Sequence, residues 1–383
     1  MKRQKNEKQQ KTEYFDNGLL AIIVFLVCFG LVMLYSTSYY SAQLKFDGDS
    51  MYFFRKQFII SVVSFVGMIV VSKFDYHFFA KFGLLAYVVS FLLMALVQTP
   101  LGIEAYGARR WIRVPVFGQM QPAEVTKLMI IIFIPTLICA AGKRIGRMKV
   151  FMKIFVIGAA AAAGVFLLTD NLSTAIIVMG MVCVMLFVAH PKTAPFIAII
   201  VAGLTAVILG VRFLDSMMDT STDFRMRRIL VWLHPEDYAG EGGFQVMQGL
   251  YAIGSGGFFG KGLGNSAQKM VIPEAQNDMI LAIICEELGV FGAIVLLTLF
   301  AMLLYRLVFI AQNAPDMYGS LIVTGIFAHI AIQVILNIAV VLNLIPTTGI
   351  TLPFVSYGGT SVLFLMAEMG LALGVSRKIK IEG

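Results

Sequence analysis

The chain has 383 residues, of which 59% are hydrophobic and 14% charged, and its mean hydropathy is +0.85. Soluble domains sit nearer roughly 45–50% apolar and about 25% charged, so a soluble globular protein is excluded and lipid is the solvent for most of the surface. The net charge of +8 is read as cationic loops beside anionic lipid headgroups, and no nucleic-acid partner is expected. Cys28, Cys139, Cys183 and Cys285 all lie in apolar runs, and His77, His190, His234 and His329 are scattered, so neither a disulfide framework nor a metal-ligand spacing is present.

Residues 1–16 form a polar tail expected to be disordered, and the apolar run after it reads as a retained first helix rather than a cleaved signal. A span needs about 20 mainly apolar residues. Ten candidates follow, at 18–35, 57–72, 82–98, 125–141, 154–168, 173–189, 194–211, 279–304, 318–343 and 352–375. The fold class expected is therefore an all-α polytopic membrane protein with one large extracellular loop, 212–277. Spans one to seven fill 17–211, spans eight to ten fill 278–376, and a short tail covers 377–383. Lys and Arg crowd the tails and alternate short loops (Lys73, Lys81, Lys143, Arg144, Arg147), which places both termini in the cytoplasm.

The loop 99–124 carries Arg109, Arg110 and Arg113, which serve either as interfacial anchors or as phosphate clamps. It runs into a helix start at Pro122, with Glu124 and Lys127 three apart on one face. That pair either fixes the angle of the helix or belongs to a site, and ionisable groups at membrane depth default to function. Asp170 lies in a turn of four residues between two spans and is a natural N-cap for the second. Arg225, Arg227 and Arg228 precede an apolar run, as in a surface-lying helix or a grip on pyrophosphate.

The stretch 242–289 is the centre of the chain. Its glycines match no P-loop or dinucleotide fingerprint and suggest a folded loop with close backbone approach. Glu274, Gln276, Asn277 and Asp278 then open an apolar helix. Asp278 is either a cap or the reactive carboxylate. The helix dipole would lower its pKa, so a base there needs desolvation to oppose the dipole. Glu286 and Glu287, deeper in the span, should face protein or water. Residues 343–361 contain Pro346, Gly349, Pro353, Gly358 and Gly359 and read as broken backbone lining a cavity. His329 and Glu368 are further polar residues in spans, and a lone His is more often a packing residue.

GARRWI, QPAEVTKL, GFQVMQGLYAIGSGG, GLGNSAQK, PEAQND and TGITLPFVSYGGTS, in this order, resemble the SEDS family (shape, elongation, division, sporulation). GLGNSAQK and PEAQND look more like the FtsW/SpoVE division and sporulation branch than the RodA elongation branch. The resemblance implies a peptidoglycan glycosyltransferase of the bacterial cytoplasmic membrane that polymerises lipid II on the outer side. It puts the essential aspartate at Asp278, the helix-start pair at Glu124 and Lys127, and a further aspartate at Asp170. The last lies in TDNLST rather than the family's Pro-Asp-Leu-Gly-Thr, and Ala123 stands where Ser is usual. Arg109, Arg225, Arg228, Gln248, Glu274 and Ser356 complete the expected substrate and pyrophosphate side. A divalent cation, Mg or Mn, is the one optional cofactor. Expected partners are a class B penicillin-binding protein (a transpeptidase), other divisome proteins and membrane lipids. The rival classes are a lipid II flippase and a non-catalytic scaffold. Polar residues clustered at the outer mouth, without internal repeats, favour the enzyme.

Overall fold

The computed structural model describes residues 14–105, 108–114, 118–198, 201, 203, 205, 209, 224–238, 240 and 242–380. The helices are α1 (Asn17–Lys45), α2 (Tyr52–Lys73), α3 (Tyr76–Ala80), α4 (Gly83–Leu96), α5 (Pro122–Ala141), α6 (Met148–Thr169), α7 (Leu172–Ala189), α8 (Phe224–Leu233), α9 (Gly243–Gly256), α10 (Ile280–Asn313), α11 (Met317–Val341) and α12 (Ser361–Ser376). Among the described residues seven helices are long and apolar enough to cross a membrane, and α4 and α12 are shorter apolar helices. The architecture is the expected all-α polytopic bundle. Of the seventh expected span, 194–211, the described residues 194–198, 201, 203, 205 and 209 are helical, and residues 1–13, 212–223 and 381–383 lie outside the described residues.

Three boundaries differ from expectation. Residues 14–16 are ordered, because Asp16 is buried, caps α1 at the Leu19 amide and pairs with Arg306. The tenth span is helical only from Ser361. Residues 345–360 contain no helix, with Gly349 and Phe354 at positive φ. The glycine-rich stretch holds a full helix, α9, where a folded loop was expected.

The loop 99–124 adds a small antiparallel sheet, β1 (Gly102–Ala105), β2 (Ala108–Val114) and β3 (Gly118–Met120), in the order β1-β2-β3. Glu104 pairs with Arg109 and Ile103 with Trp111 across the first ladder. Side chains alternate faces along a strand. Ile112 is accordingly buried and Arg110 half-buried, while Arg109 is exposed.

The most enclosed span is α11, which packs against α5, α7, α10 and α12. Next to it α10 bends at Gly289, whose φ of 69° is open to glycine at little cost. A Cβ there would lie 2.3 Å from the Phe258 carbonyl. The bend is made by pairing with the loop after α9: Lys261 and Gly262 amides donate to the Glu286 and Glu287 carbonyls, and Val290 and Phe291 amides to those of Gly257 and Phe258. The two acids are fully buried and partnered. Glu286 meets Lys261 at 2.6 Å and also Ser266, Ala267 and Gln268. Glu287 meets Lys269 at 3.0 Å and the Ser36 hydroxyl of α1. They face protein, as expected of charges in a span, and they tie α1, α9 and α10 together at one end of the bundle.

Candidate active site

Asp278 lies at that same end, in the turn just before α10 begins at Ile280. Asn277 donates from its backbone to Glu274 O at 2.9 Å, and Tyr357 donates from its backbone to Gln276 O at 2.9 Å. These bonds lock the turn onto the broken segment before α12. Asn337 of α11 donates to the Asp278 backbone carbonyl at 3.0 Å. The backbone of Asp278 is therefore held, while among the described residues its carboxylate receives one side-chain donor, Gln245 Nε2, at 3.3 Å. Burial raises the carboxyl from its ordinary value to about 6, against the opposing pull of its own backbone amide, Arg228 and the Gln245 bond and with the help of Glu274. The expected lowering by the helix dipole does not prevail. Asp278 precedes the helix, and desolvation outweighs the partial charge of its amides.

Arg228 on α8 brings the cation. It is half-buried and donates to the Thr347 carbonyl at 3.2 Å. Burial works against its charge and Asp278 works for it. The helix is pinned by Trp232 Nε1, which donates to Asn343 O at 3.0 Å. The side chain of Arg225, on the same helix, lies outside the described residues.

Glu124 and Lys127 sit in the first two turns of α5, both buried, with Lys127 Nζ 2.8 Å from Glu124 Oε1 and 3.2 Å from Gln333 Oε1 of α11. The i, i+3 spacing makes the pair, but the second partner comes from another helix.

The remaining expected residues divide. Glu274 has a left-handed backbone, φ 53°, and is held by Lys45 at 2.7 Å and by Asn277 at 2.9 Å. Asp170 does not cap the helix that follows it. It ends α6 in the left-handed conformation, and Asn171 caps α7 by accepting from the Thr174 amide. The Asp170 carbonyl accepts from Arg110 at 2.9 Å. Arg110, rather than Arg109, is thus turned inward, and Arg109 pairs with Glu104 at 3.3 Å on the exposed face of the hairpin. Gln245, one turn before Gln248, is the amide that contacts Asp278, and Gln248 is half-buried on α9. Ser356 is buried and accepts from the Leu352 amide at 2.9 Å, which closes a turn of the broken segment. Gln245, Gln333 and Asn337 were missed. A signal existed for the last two: with His329 they recur every fourth residue along an apolar span.

Acids, cations and amide donors, buried or half-buried at one end of a polytopic helical bundle, define a membrane-embedded protein with a polar end. The chain belongs to the FtsW/RodA/SpoVE family, described as cell cycle proteins, whose pattern matches residues 17–381. It is 40% identical to the stage V sporulation protein E of Bacillus subtilis (strain 168) over 94% of this chain and 97% of that one. It is 35% identical to a probable peptidoglycan glycosyltransferase FtsW of Geobacter sp. (strain M18), over 97% and 99%. Among solved structures it is similar to a chain from work on structural coordination of polymerization and crosslinking by a peptidoglycan synthase complex, with TM-score 0.76, 27% identity and 95% and 98% coverage. It is also similar to the rod shape determining protein RodA of Thermus thermophilus, with TM-score 0.67, 25% identity and 96% and 98% coverage.

Proposed function

We propose that this chain is a peptidoglycan glycosyltransferase of the FtsW/SpoVE branch that polymerises lipid II, with Asp278 as general base. The observation that carries the reading is the placement of Asp278: its backbone is held by Asn337 at 3.0 Å, its carboxylate meets the Gln245 amide at 3.3 Å beside Arg228, and burial raises it from its ordinary value. A base works best with its pKa near the working pH. The acceptor's 4-hydroxyl attacks C1 of the donor sugar. The C1–O4 bond forms with inversion, the C1–O bond to undecaprenyl pyrophosphate breaks, and the hydroxyl proton passes to Asp278. The leaving pyrophosphate needs countercharge more than a proton, and preorganised cations supply that. Lys127 and Arg228 are the described cations best placed to do so, with Arg110 at the hairpin side.

Among the described residues no group of three or more His, Cys, Asp or Glu could hold a metal. A Mg or Mn ion would arrive on the pyrophosphate, since Mg is commonly held by one or two carboxylates plus substrate phosphates. The similarity to a peptidoglycan synthase complex supports a transpeptidase partner, which we assign to the class B penicillin-binding proteins. The cation bias of the loops supports cytoplasmic termini and an outward-facing site in the cytoplasmic membrane.

Two experiments test this. Purified protein with its transpeptidase, given labelled lipid II, should build a glycan ladder on a gel, and no ladder would remove the enzymatic reading. In a cysteine-free chain, Ala267→Cys should react with an impermeant thiol reagent in intact cells and Lys143→Cys should not. The reverse pattern would overturn the orientation.

A further inference from the structure

His329 and Glu368 are fully buried, and the reaction as derived makes no use of either. An ionisable pair in an apolar interior is expensive, and well-packed apolar residues would fill the space at lower cost. Their contacts lead to Lys127.

Gln333 Nε2 donates to the Thr351 carbonyl at 2.9 Å. A carbonyl only accepts, so the amide oxygen faces the other way. That oxygen receives Lys127 Nζ at 3.2 Å and lies 2.8 Å from His329 Nε2. Ammonium only donates, which fixes the amide orientation a second time. An amide oxygen has no proton to give, so Nε2 of His329 carries one and the tautomer is set. Nδ1 of His329 lies 2.7 Å from Glu368 Oε2. Two bare acceptors at that separation would repel, so one proton is shared between them.

We infer that His329 and Glu368 are positioning residues for Lys127. Glu368 holds the imidazole, the imidazole holds the Gln333 oxygen, and that oxygen aims the ammonium. Among the described residues Glu124 and Gln333 take two of the three N–H groups of Lys127, and the third is left for a pyrophosphate oxygen. The inference rests on the reading of Lys127 as a pyrophosphate ligand.

The test measures the affinity of the full chain, with its partner transpeptidase in nanodiscs, for undecaprenyl pyrophosphate, with the monophosphate as control. Thermal melting reports the folded fraction. His329→Phe and Gln333→Met should each weaken pyrophosphate binding about tenfold, the equivalent of one charge-assisted contact. Neither should weaken it further when Lys127→Met is already present. Glu368→Leu should behave as His329→Phe does, whereas Glu368→Gln, whose amide can donate to Nδ1, should return most of the affinity. Unchanged affinity of the folded His329→Phe protein, or losses that multiply in the double variants, would overturn the positioning role alone. Unchanged affinity in Lys127→Met would remove the ligand reading and the inference together. If His329→Phe does not fold, the ¹⁵N spectrum of a chain keeping His329 as its sole histidine decides. A protonated Nε2 supports the inference and a bare one sinks it.

Discussion

The buried pair Glu286 and Glu287 and the half-buried Asp278 lie at the same end of the bundle, and they differ in how fully they are satisfied. Glu286 and Glu287 each have a lysine, and Ser36, Ser266 and the backbone amides of Ser266, Ala267 and Gln268 complete their coordination. Among the described residues Asp278 has the Gln245 amide at 3.3 Å, its own backbone amide and the charge of Arg228, and no lysine. Charges met by this many donors build structure, because their oxygens are already committed to protons from several directions. A desolvated and under-coordinated carboxylate is free to accept a proton from something else.

The sharpest way to break that contrast is Asp278→Asn. It should lower polymerisation by about 10²–10⁴-fold, the usual worth of a positioned base, and leave the melting temperature unchanged. Near-normal glycan synthesis would move the base elsewhere. Lys269→Met makes the opposite case. It strands Glu287 and should destabilise the fold by about 3–5 kcal/mol, read as a lower melting temperature, with the rate per folded molecule retained. The double change with Glu287→Leu should recover most of the loss. A rate defect without a stability defect would put the clamp in the chemistry.

The pH profile sharpens the same comparison. Asp278 is a base only when deprotonated, and its carboxyl is raised to about 6. The rate of polymerisation should therefore be flat above that value, half-maximal near it, and fall about tenfold per unit below it. A break near 4 in the initial rates would show that burial does not govern this carboxylate. The smallest effect belongs to the hairpin. Arg109 makes an exposed pair worth about 0–1 kcal/mol, so Arg109→Ala should change neither rate nor stability appreciably. Arg110→Ala should cost more activity, because Arg110 reaches the turn at Asp170. Equal effects would mean that the strand does not sort the two arginines.

What was legible in the sequence was what the bilayer makes costly. The apolar runs reveal the spans. Glu124, Lys127, Asp278, Glu286 and Glu287 stood out because charges at membrane depth are rare, and the structure buries or partly buries all five. The choices between neighbours were not legible. Whether Arg109 or Arg110 turns inward depends on strand phase, which a three-stranded sheet sets through its ladder. Whether Gln245 or Gln248 meets Asp278 depends on the rotation of α9 against α10. Asp170 and Asn171 both cap well by type, and the chain's left-handed turn gave the helix start to Asn171. Gln333 became part of the site through Lys127, 206 residues away in sequence. Residue type and local spacing therefore determined that the protein is a membrane bundle with charged groups near Asp278. Only tertiary packing decided which of those charges are saturated, because each partner is supplied by a different helix and its distance is set by how the helices lie together.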